Sequence, residues 1–116
     1  MSVEDTLYQA LAPLVADRVY RLVARDQPLR PYITFQQVGG LPVNYLESKR
    51  PSKSRGRFQV NVWADDLDGA VAIARQAEQV LVESTVLRGF VETGQVSSFE
   101  GDTGLFGVRQ DFSFVF

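Results

Sequence analysis

The 116-residue chain contains neither cysteine nor histidine. Without cysteine there is no thiol nucleophile, no disulfide framework and no thiolate site for structural zinc. Without histidine, the side chain best suited to proton transfer near neutral pH is missing, as is the commonest metal ligand. Neither sign of charge dominates: 12 Lys and Arg face 14 Asp and Glu, for a net charge of −2. That balance argues against a protein whose whole surface grips nucleic acid. No apolar run approaches the ~20 residues that span a bilayer, and the acidic start, Ser2-Val3-Glu4-Asp5, is unlike a secretory signal. A membrane is therefore not an expected partner, and synthesis in the cytoplasm fits.

What is present is an ordinary globular load. The hydrophobic fraction is 45%, with eight Phe, four Tyr and a single tryptophan, Trp63. A chain of this length removes roughly two-thirds of its unfolded surface from water. One core and one domain, residues 1–116, are expected.

The pattern along the chain alternates between helical and strand periods. Val3, Leu7, Ala10, Leu11, Leu14 and Val15 recur at helical spacing, so residues 3–15 predict a first helix. Ser2 can cap it with Asp5 in a capping-box position, and Pro13 predicts a kink or restart near Ala12. Residues 19–20 predict a short strand and 25–31 a loop. In 32–38, Ile33 and Phe35 alternate with Thr34 and Gln36, the mark of a half-buried strand. Gly39-Gly40-Leu41-Pro42 predicts a turn, and 43–47 a partner strand completing a hairpin. In 57–64, Phe58, Val60, Val62 and Ala64 face one way and Arg57, Gln59, Asn61 and Trp63 the other.

Asp65, Asp66 and Asp68 then open a second helix reaching about Glu83, because acidic side chains cap free N–H groups and meet the helix dipole. Two further strands, 90–99 and 105–116, are joined by a hairpin loop over 100–104. The expected fold is α+β: a mainly antiparallel sheet of about five strands with two helices packed on it, in the order α-β-β-β-α-β-β.

Candidate chemistry is thin. The aspartates with Gly69 resemble the start of a calcium loop, but Arg75 stands where the bidentate glutamate is needed. Helix capping is the better reading. Gly101, Gly104 and Gly107 lie between two strands, so they read as hairpin geometry and not as a phosphate cradle. A serine nucleophile would need a lysine base, and the only lysines, Lys49 and Lys53, fall in a polar loop where neither would be desolvated. No catalytic residue, cofactor site or metal site is predicted.

Three features suggest surface meant for other proteins. Between residues 47 and 57, Lys49, Arg50, Lys53, Arg55 and Arg57 oppose one Glu, leaving seven cations against thirteen anions elsewhere. The segment 48–56 reads as a flexible basic loop: a solvated loop, a contact with an acidic neighbour, or a contact with passing DNA. Trp63 shares a strand face with Gln59 and Asn61. Either the first helix or a loop covers it, or it is an interface anchor. The last strand runs to Phe114-Val115-Phe116, and a strand so ended invites edge pairing unless it is central or an assembly covers it. Arg57, Gln59, Asn61, Trp63, Phe114 and Phe116 are the candidate interface residues. Lys49, Arg50, Lys53 and Arg55 are the candidates for a basic loop facing a neighbour or DNA.

In order along the chain, the amphipathic first helix leading to Val15-Ala16-Asp17-Arg18-Val19-Tyr20, the segment Leu29-Arg30-Pro31-Tyr32-Ile33-Thr34-Phe35-Gln36, the strand Arg57-Phe58-Gln59-Val60-Asn61-Val62-Trp63-Ala64 and the alanine-rich second helix resemble the phage tail-completion, or tail-terminator, family. The resemblance implies a small α+β subunit without catalytic residues. It implies self-association into a ring, typically of six copies, that caps the tail tube of a long-tailed phage or prophage and provides the joint to the head. The implied partners are further copies of the chain, the tail-tube protein, the head–tail connector protein and DNA passing through the lumen without sequence preference. The implied places are the virion tail or neck and, during assembly, the host cytoplasm. Composition alone equally allows a small cytoplasmic binding or regulatory module without catalysis.

Overall fold

The computed structural model describes residues 2–40 and 55–116. Helix α1 (Val3–Leu11) starts at the predicted capping box: Ser2 Oγ accepts from the Asp5 N–H, and the Asp5 carboxylate accepts from the Ser2 N–H. At Ala12 the α-helix gives way to a 3₁₀ turn, Ala12–Val15, with Pro13 near its start. A proline there needs no N–H partner, which is why the change of helix type falls at this point.

Strand β1 (Val19–Arg21) follows, then β2 (Tyr32–Gln37), β3 (Arg55–Ala64), α2 (Leu67–Glu83), β4 (Phe90–Val91), β5 (Val96–Glu100) and β6 (Leu105–Val115). These six strands form one sheet in the order β1-β2-β3-β6-β4, with β5 also paired to β6. All pairings are antiparallel except β1 with β2, which is parallel and sets Val19 beside Ile33 and Arg21 beside Phe35. The architecture is α+β, with one more strand than the periodicity suggests.

Three expectations change. First, β2 has both edges occupied over residues 33–35, by β1 and by β3. The segment 43–47, expected to be a partner strand of β2, lies outside the described residues. Second, β3 begins at Arg55, two residues before the alternating run, so Arg55 belongs to a strand and not to a loop. Third, the run 90–99 is not one strand. Val91 pairs with Phe112 and Val96 with Arg109, so the chain spends five residues where β6 spends three. The excess bulges out around Thr93-Gly94.

The core lies between one sheet face and the helices. Val19, Ile33, Phe35, Phe58, Val60, Val62, Val108, Phe112 and Phe114 point to that side and meet Leu7, Leu11, Val15, Ala70, Ala74, Ala77 and Leu81 from the helical layer. The alanines of α2 face the sheet and let the helix axis approach it closely. Each large side chain buried this way contributes about 1.5–3 kcal/mol. Gln110 sits in this apolar row and is only 4% exposed. Its Nε2 donates to Glu78 Oε1 at 2.7 Å and to the Thr93 carbonyl at 3.0 Å, and its Oε1 accepts from Gln95 at 3.4 Å. A buried amide is tolerable when satisfied in this way. Here it ties α2 and the bulge to β6.

Candidate assembly surface

Both helices lie on one side of the sheet, so no helix covers the other side among the described residues, although Tyr32, Thr34, Leu105 and Ser113 on it are only 4–9% exposed. Strand alternation assigns its occupants. Tyr32, Thr34 and Gln36 come from β2, Arg57, Gln59, Asn61 and Trp63 from β3, and Gly107, Arg109, Asp111 and Ser113 from β6. The register lines them up in rows: Gln36 beside Gln59 beside Asp111, and Thr34 beside Asn61 beside Arg109.

Trp63 occupies one end of this face. Neither helix covers it, because both pack on the opposite side. The indole is instead held by neighbours within the sheet. Its Nε1–H donates to Thr34 Oγ1 at 3.3 Å, and its six-membered ring lies against Gly107, where an added Cβ would stand only 2.7 Å from Cζ3. Glycine at 107 is what gives the ring its seat. The result is a half-buried aromatic fixed in place by its sheet neighbours, a state that costs little further entropy when a partner covers it. Tyr32 and Tyr20 continue the aromatic row with rings edge-on at 6.0 Å. Burial pushes the Tyr32 hydroxyl above its usual value of 10.0, with the Glu100 charge adding to the effect. It is therefore a neutral hydrogen-bonding group at physiological pH.

The other end is charged. Arg57 reaches Asp111 at 2.8 Å, and Arg55 reaches Glu92 at 3.3 Å. The Ser113 hydroxyl donates to Glu92 Oε1 at 2.8 Å. That hydrogen bond holds the Glu92 carboxyl below its ordinary 4.5 despite some opposing desolvation, and Arg55 adds to the same effect. Arg55 also stacks over the exposed Phe90 ring at 5.8 Å, a contact of about 0.5–1 kcal/mol at such sites. Arg55 and Arg57 are thus braced by Asp111 on β6 and by Glu92, which follows β4 directly. These acids, with Ser113 and Phe90, were not identifiable as their partners beforehand. Only the register of β6 against β3, and of β4 against β6, brings them there.

The structure places the predicted residues unevenly. Arg57, Gln59, Asn61 and Trp63 do share the bare face. Phe114 does not join them. It is 2% exposed, stacked near Phe112 and Phe58 in the core, because β6 is a central strand with neighbours on both sides. Phe116 is half-exposed and packs on the helix side over Gly56, 6.2 Å from the Phe58 ring. Lys49, Arg50 and Lys53 lie outside the described residues. Among the described residues no cluster of acidic groups could hold a metal ion, and no helix is long and apolar enough to cross a membrane.

No curated protein sequence matches the chain. Among solved structures, a chain of the virion of a native gene transfer agent particle superposes with a TM-score of 0.66. It is 19% identical, and the match covers 98% of this chain and 93% of that one, which establishes a shared fold. A second solved chain, 20% identical and matched over 99% of this chain and 96% of its own, has a TM-score of 0.44, too low to carry an argument. A protein-family profile described as Tail completion protein gp17 matches residues 6–116, from within α1 through the whole sheet. On that match the chain belongs to the tail completion protein gp17 family and is a structural protein of a phage tail.

Proposed function

We propose that the protein acts as a tail terminator: copies self-associate into a ring, of six subunits in the assembled tail, that caps the tail tube and joins it to the head. The role is structural and needs no catalytic group. The observation that carries the reading is the bare sheet face. A two-layer domain normally exposes polar, dispersed side chains on an uncovered face. Here it presents a fixed indole, the amides of Gln36, Gln59 and Asn61, and arginines already oriented by acids, the mix of aromatic and arginine anchors enriched where proteins meet.

In this reading Arg57, Gln59, Asn61 and Trp63 contact a neighbouring subunit or the tail-tube protein, with Phe116 at the rim. Lys49, Arg50 and Lys53 face an adjacent copy or the lumen, where DNA would be met through its phosphates alone. The head–tail connector protein would dock on the ring's other side.

The test uses substitutions that leave the core untouched. Asn61→Glu and Trp63→Ala should retain the circular dichroism of the native protein yet fail to cosediment with purified tail tubes, and they should leave tails without heads. Folded variants that complete tails as well as the native chain would remove the proposal.

A further inference from the structure

Two segments at opposite edges of the sheet each expose apolar side chains, and their charges are of opposite sign. The first leaves β1. Residues 18–25 read Arg-Val-Tyr-Arg-Leu-Val-Ala-Arg, with three arginines and no acid. Leu22 is 62% exposed and Val23 73%. The Val23 N–H donates to the Arg21 carbonyl at 2.8 Å, which closes a three-residue turn at Leu22. Leu22 has a φ of 69°, so this is the strained γ-turn and not its common mirror image. A bulky side chain rarely takes positive φ, and backbone strain of this kind gathers where function needs it. The turn combines that strain with two aliphatic side chains held out in water. The second segment lies beyond β6. On the helix-side face of the β5–β6 hairpin, Phe99 is 58% exposed, its aromatic ring 4.8 Å from that of Phe106 between centroids. Phe106 pairs with Ala64, and the exposed Leu67 and Asp68 follow Ala64 at the start of α2. Glu100 and Asp102 stand on the hairpin, and no Lys or Arg occurs between Arg88 and Arg109. Arg30, which reaches this corner, is already bonded to Asp65 and to the Thr103 carbonyl.

We propose that these two segments meet between copies: the Leu22–Val23 turn of one subunit seats on the Phe99–Phe106 patch of the next, with Arg25 facing Asp102. Three observations select a second copy as the occupant. A partner for the basic turn must offer apolar surface with an acidic rim, and the chain itself carries such a patch. The turn and the patch cannot meet within one subunit, because β1 and β5 lie four strand spacings apart, roughly 19 Å at ~4.8 Å each. Turn against turn, or patch against patch, would oppose like charges, which disfavours an isologous contact. The contact is therefore heterologous, and a heterologous contact closes into a ring when its rotation allows. The inference rests on the ring reading and deepens it. It assigns the contact between subunits to the two edges of the sheet and leaves the helix-free face to the tail-tube protein.

The chain has no cysteine, so engineered pairs report the contact directly. Val23→Cys and Phe99→Cys in one chain, oxidised in assembled tails, should give a ladder of covalent multimers, because each subunit links to a neighbour on both sides. Either single variant should give none. Charge reversal supplies a second readout. Arg25→Glu or Asp102→Arg alone, at exposed positions and folded by circular dichroism, should lower the yield of completed tails about tenfold. Both in one chain should restore it, since every contact then holds one of each. The absence of a ladder from tails that carry several copies of the chain, counted by quantitative mass spectrometry, overturns this contact without touching the ring reading. So does a disulfide dimer from Val23→Cys or Phe99→Cys alone, which marks an isologous contact, and so does a double reversal no better than the single ones. Tails that hold a single copy overturn the ring reading itself, and this contact with it.

Discussion

Replacing Gly107 by alanine tests whether the Trp63 ring is seated as the structure shows. The backbone permits the change, since Gly107 is not among the glycines with positive φ. The new Cβ would lie 2.7 Å from Trp63 Cζ3, 2.9 Å from Cε3 and 2.8 Å from Ser98 Oγ. The serine hydroxyl can rotate away, but the indole is rigid. It must retreat by about 0.7 Å, the gap between 2.7 Å and the 3.4 Å at which ordinary contact begins. Retreat stretches the Trp63–Thr34 hydrogen bond, already 3.3 Å long. Overpacking of this kind costs about 1–3 kcal/mol, and loss of the hydrogen bond about 0.5–1.5 kcal/mol. A stiffer unfolded chain returns about 0.4–1 kcal/mol. The net expectation is a loss of about 1–3 kcal/mol, read as a lower urea midpoint by circular dichroism at unchanged slope. Each kcal/mol lowers Tm by roughly 4–8 °C in a small domain. The same substitution in a Trp63→Leu background should cost at least about 1 kcal/mol less, because the smaller side chain leaves room. A Gly107→Ala chain as stable as the native one, or an equal cost in both backgrounds, would refute the seating argument.

Three further changes probe other parts of the account. Gln110→Leu keeps the volume but leaves the Thr93 carbonyl and Glu78 without their donor, and should destabilise by about 2–4 kcal/mol in chemical denaturation. Glu92 has a folded pKa below its unfolded value, so its stabilising contribution is present above about pH 4.5 and is lost as pH falls through the folded value. Glu92→Gln should therefore flatten the stability–pH curve below pH 4.5 and leave its shape near neutrality unchanged. Asp66→Ala removes the side-chain cap on the Gly69 N–H at 3.0 Å and should cost about 1 kcal/mol in thermal unfolding.

Much of the fold was legible because local chemistry dictated it. The alternation of Phe58, Val60, Val62 and Ala64 against Gln59, Asn61 and Trp63 identified a strand and its two faces before any pairing was known. The aspartates before Leu67 marked a helix start, and Ser2 with Asp5 marked another. What stayed hidden depended on residues distant in sequence. That β1 runs parallel to β2 is set by the path of 22–31, which carries no periodic signal. The break between β4 and β5 falls where Gln110 of β6 bonds the Thr93 carbonyl, and the run 90–99 alone does not reveal it. Phe114 looked like exposed terminal surface because nothing local says that β6 has neighbours on both sides. Arg55 read as part of a basic loop because its braces, Glu92 and Ser113, lie 37 and 58 positions away in the chain. The candidate surface was legible as a face, but its electrostatics were not.

The central claim is that the bare sheet face is covered by other protein in the finished tail. Hydroxyl-radical footprinting, read by mass spectrometry on the peptide that contains Trp63, compares the free subunit with assembled tails. The account predicts that Trp63 is oxidised readily in the free protein and protected several-fold in tails, while exposed positions on the outer side of α2 such as Gln76 change little. Equal oxidation of Trp63 in both states would contradict it.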